Sequence, residues 1–181
     1  MHPRLAELSE HLAQQRRILL DVASAVPADR WQTRLGDGQW TVSEILEHLY
    51  RVDRSVAGML TKRIAEARDA GHPQETETSS VLGSIDALRV SEVVQKLVAP
   101  ERVAPTENAD RETVERLLAE SRAALNAAIA SGDGLALGSI KQMQNRFGEL
   151  DLYQWILFVA GHEKRHTAQL REVARQLVPA S

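Results

Sequence analysis

The sequence predicts an all-α protein, an antiparallel four-helix bundle with a long crossover connection between its second and third helices. Three observations lead there. Four segments repeat apolar residues every three or four positions, the spacing of one buried helix face. Their ends carry helix caps and stops. The stretch between the middle two is far longer than a tight turn, and a connection of that length in a compact domain is usually functional or crosses the fold.

The first segment runs from about Pro3 to Val26, with Leu5, Leu8, Leu12, Leu19, Val22 and Val26 as its stripe. Pro3 suits a first helical turn, and Pro27 stops the helix. A turn from Ala28 to Gln39 follows. The second segment opens at Thr41, with Glu44 placed to complete a capping box. Its stripe holds Val42, Ile45, Leu49, Val52, Val56, Met59 and Ile64, and it ends near Gly71. His72 to Ala109 form the connection, polar at first, with a short helix expected around Ser91 to Val98. A crossover of this kind would make the second and third helices parallel. The third segment starts at Asp110, a good N-cap, and carries Val114, Leu117, Leu118, Leu125 and Ile129 as far as Gly132. The fourth runs from about Asp151 to Val178, stopped by Pro179. Nothing reads convincingly as a strand, and no repeat or second domain is evident.

Composition narrows the function. The chain has 181 residues, enough for one domain with a proper core, and a formal net charge of −3. That balance offers no footprint for a polyanion, so no nucleic-acid partner is expected. Cysteine is absent, which excludes disulfides, thiolate ligands and a cysteine nucleophile in the protein itself. The opening residues (MHPRLAELSE) lack an apolar leader, and the longest apolar run, Trp155 to Ala160, is far below the ~20 residues of a membrane span. A cytoplasmic protein without a membrane partner is expected.

Chemistry concentrates in the histidines. His2 and His72 sit in an end and a loop, and His11 has no partner at useful spacing. His162 and His166 are different, because residues four apart on a helix are separated by only about 40° around its axis. The stripe Leu152, Trp155, Val159, His162, His166, Val173, Leu177 runs through both, so they point inward where Leu or Ile would be expected. His48 repeats the pattern between Ile45 and Val52. Buried imidazoles need partners, and one metal ion would serve all three. Facing helices of a bundle are a known place for such a site. Three histidines leave a tetrahedral zinc, or a nickel, iron or manganese ion of higher coordination, with open positions.

His162-Glu163-Lys164-Arg165-His166 also matches H-E-x-x-H, the zinc-protease signature. Glu172 stands at the third-ligand offset of one protease class, but Gln169 occupies the place of its helix-ending glycine. An unbroken helix turns Glu172 about 240° from His166. The third ligand is therefore expected upstream, and His48 is the natural candidate.

Trp40-Thr41-Val42-Ser43-Glu44-Ile45-Leu46-Glu47-His48-Leu49 resembles the first signature of the DinB/YfiT-like family. Phe147-Gly148-Glu149-Leu150, Trp155 and His162-x-x-x-His166-x-x-Gln169-Leu170 resemble the second. The resemblance spans nearly the whole chain. It implies a four-helix bundle with a crossover and a three-histidine site at His48, His162 and His166. It also implies a divalent ion, zinc or nickel foremost, and a homodimer acting on a small molecule. Relatives include S-transferases and isomerases that use low-molecular-weight thiols such as bacillithiol or mycothiol, and metal-dependent hydrolases. The chain departs from the pattern at Asn145-Arg146, where many relatives have His-Pro, so the loop beside the site is expected to differ.

Either chemistry follows physically from such a site. A divalent ion lowers the pKa of bound water, or makes a thiol cosubstrate nucleophilic at neutral pH. A bundle whose metal is structural, or that only binds a small molecule, is the non-catalytic alternative. Four residues are candidates for the surroundings. Glu44 could orient His48 or serve the capping box, and Glu163 could hold a water or be a solvated charge. Trp40 and Trp155 could wall the pocket or belong to the core. No catalytic base is evident.

Overall fold

The computed structural model describes residues 1–92, 99–106 and 108–178. The protein is mostly helical. Four long helices dominate: α1 (Pro3–Ser24), α2 (Val42–Asp69), α3 (Arg111–Ser131) and α4 (Leu152–Leu177). Caps set their starts. Thr41 and Glu44 form a reciprocal capping box at α2, Asp151 and Gln154 form another at α4, and the Asp110 carboxylate accepts from Thr113 N–H at α3. α1 ends at Ser24, two residues before the expected stop, yet Val26 is still fully buried.

Between α2 and α3 the chain makes short 3-10 turns at Leu82–Leu88, Val90–Glu92 and Glu101–Val103. Most of the short helix expected at Ser91 to Val98 lies outside the described residues. One expectation needs correction, because two short strands are present. β1 (Lys141–Gln144) pairs antiparallel with β2 (Gly148–Asp151) just before α4. Their sequences, KQMQ and GELD, show little apolar alternation, which is why periodicity misses them. The turn is held by the Gln144 side chain, whose oxygen accepts from the N–H groups of Arg146 and Phe147, and by Gly148 at φ +79°. Trp155 then ties the hairpin to α4 by donating its indole N–H to Gln142 O at 3.0 Å.

Two apolar clusters form the core. One collects Leu5, Leu8 and Leu12 from early α1, Val56, Leu60 and Ile64 from late α2, Leu125 and Ile129 from late α3, and the first turns of α4. The other collects Leu19 and Ala23, Val42, Ile45, Leu46 and Leu49, Val114 and Leu118, and Leu170, Val173 and Leu177. Each end of the molecule therefore gathers the starts of two helices and the ends of the other two. Closest packing joins α2 to α3 and α1 to α4.

Four charged residues, one from each helix, are buried near the middle. Arg16 of α1 reaches Asp53 of α2 at 3.0 Å and also binds Glu163 of α4. Arg122 of α3 reaches the same two carboxylates, Asp53 at 3.0 Å and Glu163 at 2.9 Å. Each guanidinium donates once more, Arg16 to Leu118 O at 3.2 Å and Arg122 to Leu12 O at 3.1 Å. Burial opposes charge on Arg122, but the Asp53 and Glu163 carboxylates outweigh it and raise its pKa. Charges sum to zero, and each arginine serves both carboxylates and a backbone carbonyl, which is what a buried ionic group requires.

Removing one member should be costly, because it strands buried opposite charge. Asp53→Asn is expected to lower unfolding stability by about 3–5 kcal/mol in urea titrations followed by helical circular dichroism. An unchanged midpoint would show that the quartet is incidental to the fold.

Candidate metal centre

His162 and His166 occupy successive turns of α4, and both face α2, where His48 sits on the second turn. Their Nε2 atoms converge. His162 Nε2 lies 3.3 Å from His48 Nε2 and 3.2 Å from His166 Nε2, and one ring nitrogen from each of the three lies within 4.8 Å of the others. Two nitrogens bound at about 2.0–2.1 Å to a tetrahedral ion stand about 3.3–3.4 Å apart, so the spacing suits a shared ion.

The outer nitrogens explain the orientation. His48 Nδ1 lies 2.7 Å from Val103 O, so it carries the proton and donates it, leaving Nε2 as a bare lone pair. His166 Nδ1 meets Gln169 Oε1 at 2.8 Å, which sets the same tautomer. His166 Nε2 also accepts from Arg165 Nη2 at 2.9 Å, which independently requires a bare lone pair there. His162 Nδ1 is buried without a protein partner. Burial is the main cause holding all three imidazoles neutral, lowering His48 to about 4 and His162 and His166 well below their ordinary range. Neutral rings with inward lone pairs are what a metal ion requires.

The surroundings decide between the two open readings of Glu44 and overturn both readings of Glu163. Glu44 does not orient His48. Its carboxylate accepts from Thr41 N–H in the capping box at 2.9 Å and pairs with Arg34 at 2.6 Å. The orienting acceptor is Val103 O, from the crossover. Glu163 is neither a water holder nor a solvated charge: 1% exposed, it turns about 100° from His162 into the buried quartet. Trp40 does wall the histidines, its ring 5.0 Å from His48 and stacked 6.0 Å from His166. Trp155 stands one layer back, edge-on to Phe158 at 5.6 Å, and Phe158 stacks on His162 at 5.5 Å.

Several residues here escaped the sequence reading. Glu47 is buried beside His48 and accepts from Thr106 N–H at 2.8 Å and Asn108 N–H at 3.2 Å, pinning the crossover that carries Val103. Arg16, Asp53 and Arg122 left a usable signal, since each is a charge at a position where its helix's apolar stripe calls for a hydrophobe. Val103 left none, because a backbone carbonyl has no residue signature.

The chain belongs to the DinB superfamily, whose family model matches residues 11–170. It is 30% identical over 142 residues to YuaE of Bacillus subtilis (strain 168), described as an uncharacterized protein. That match covers 77% of this chain and 80% of the relative. No solved structure matches. Among the described residues, no helix is long and apolar enough to cross a membrane.

Burial of the neutral histidines links stability to pH. The unfolded chain takes up protons near the ordinary imidazole value of 6.5, whereas folded His48 does so only near 4. The unfolded state thus binds more protons below 6.5, so stability is full above that value and falls as pH drops toward 4. For His48 alone the loss approaches about 3 kcal/mol. Urea midpoints of chelator-treated protein should fall across this window, and less steeply in His48→Gln. Equal slopes in both proteins would contradict the assignment.

Proposed function

We propose that this protein is a divalent-metal-dependent enzyme that transfers a low-molecular-weight thiol to a small-molecule electrophile. The observation that carries the reading is the convergence of three Nε2 atoms from two helices, with two of the three rings locked at Nδ1 by Val103 O and Gln169 Oε1. The domain is read as an antiparallel four-helix bundle in which the crossover makes α2 and α3 parallel, consistent with both core clusters. A homodimer is part of the proposal.

An ion bound by His48, His162 and His166 supplies the positive charge that makes a thiol reactive as a thiolate at neutral pH. Imidazole donors suit zinc and nickel, and also iron. The chain's part is to hold three neutral rings in register and keep other ligands away. Trp40 and Phe158 cover two faces of the cluster with aromatic surface. Transfer of a thiol is favoured over hydrolysis by the carboxylates. Water attack would profit from a general base beside the ion. Among the described residues, the nearby carboxylates Glu44, Glu47 and Glu163 are each committed elsewhere.

Elemental analysis of untagged protein should find about one divalent ion per chain in the wild type and none in the His48→Ala/His162→Ala double variant. Absence of metal from both would end the proposal. A screen of bacillithiol, mycothiol and glutathione with monochlorobimane should then show metal-dependent adduct formation with at least one thiol.

A further inference from the structure

Two guanidinium groups stand beside the histidine cluster with no carboxylate paired to them among the described residues. Arg165, half-buried on α4, makes its one side-chain contact within the described residues at His166 Nε2. Arg146 projects from the turn of the β1–β2 hairpin and lies over the Phe147 ring at 5.7 Å, within the reach of about 6 Å for a cation over an aromatic face. Phe147 packs on Phe158 at 6.0 Å, and Phe158 stacks on His162, so the hairpin turn borders the same cluster. Neither arginine has an ion-pair partner among the described residues. Elsewhere the chain pairs its buried arginines with care, as Arg16 and Arg122 show. Arg165 is close enough to Arg146 to be disfavoured by it, after burial, which is the larger cause of its lowered pKa.

A lone pair serves one partner at a time. An ion drawn to the three Nε2 atoms takes the one on His166 from Arg165, whose N–H groups must then find another acceptor. Among the described residues, no carboxylate pairs with Arg165 to receive them. Two arginines beside a divalent ion form a concentrated positive charge in a protein whose formal net charge is −3. An anionic ligand answers both needs, and a guanidinium fork matches a carboxylate or a phosphate in geometry.

We propose that Arg165 and Arg146 form an anion-recognition subsite beside the histidine cluster, and that the substrate carries a carboxylate or phosphate group near its reacting atom. This rests on the metal reading above for its placement. Arg165 is the principal contact, and Arg146, exposed on the turn, adds attraction that salt weakens.

Calorimetric titration of the zinc-loaded protein with benzoate, phenyl phosphate and neutral benzamide tests it, with zinc content measured on every sample. One of the two anions should bind at least about tenfold more tightly than benzamide, and which one does identifies the group. Arg165→Gln should weaken that binding about tenfold, Arg165→Lys should restore part of it, and Arg146→Gln should weaken it about threefold, with zinc content unchanged. Binding no better than benzamide, or an Arg165→Gln variant that binds like wild type, would overturn the subsite. If wild-type protein holds no zinc but still binds the anion through Arg165, the metal reading fails and the subsite stands. Should Arg165→Gln fail to fold, the Arg165→Lys and Arg146→Gln titrations decide, and wild-type affinity in both would overturn the proposal.

Discussion

A single buried ionic layer organises the molecule. Arg16, Asp53, Arg122 and Glu163 come one from each helix, and each arginine touches both carboxylates. Such a layer adds little net stability over a well-packed apolar one, since desolvation offsets most of the attraction. Its effect is on geometry. An apolar stripe tolerates some rotation of its helix, whereas a carboxylate that must meet two guanidinium groups does not. Glu163 adjoins His162, so holding Glu163 toward α1 and α3 holds His162 and His166 toward α2. The orientation of the candidate site is thus inherited from the quartet.

The third imidazole is oriented by the long connection. His48 lies on α2, yet the carbonyl that sets its tautomer belongs to Val103, at the end of a 3-10 turn in the crossover. Glu47, the preceding residue, receives N–H groups from Thr106 and Asn108 and so fixes the strand of chain that presents that carbonyl. Neighbouring residues of one helix thereby divide the work: Glu47 accepts from the loop and pins it, and His48 donates to the carbonyl the loop presents. This gives the length of the connection a physical purpose, because a short turn between α2 and α3 could not return past the start of α2.

Membership of the DinB superfamily and the converging rings together define a helical domain able to hold a metal ion. The aromatic cover, and guanidinium groups without an ion-pair partner among the described residues, give the site its character. Trp40 and Phe158 place aromatic rings against the histidines, and Arg165 brings charge to His166.

Much of this was legible in one dimension. Helix period and caps are local properties, so Thr41, Asp110 and Asp151 mark their helices without knowledge of the fold, and an i, i+4 pair on an apolar stripe declares an inward face. The hairpin was not legible, because KQMQ and GELD pair through backbone groups and a glutamine side chain, with little apolar alternation to announce them. Nor were the roles of Glu44 and Glu163, since spacing says where a side chain starts and not which distant charge it meets. Four amphipathic helices and three histidines on their apolar stripes follow from residue order alone. Packing was needed to bring those histidines to one point, to set Val103 O and Gln169 against the outer nitrogens of His48 and His166, and to give Glu163 a different partnership. Local order depends on residues a turn apart, whereas a site depends on which helix faces are brought together, and that is settled by packing across the whole chain.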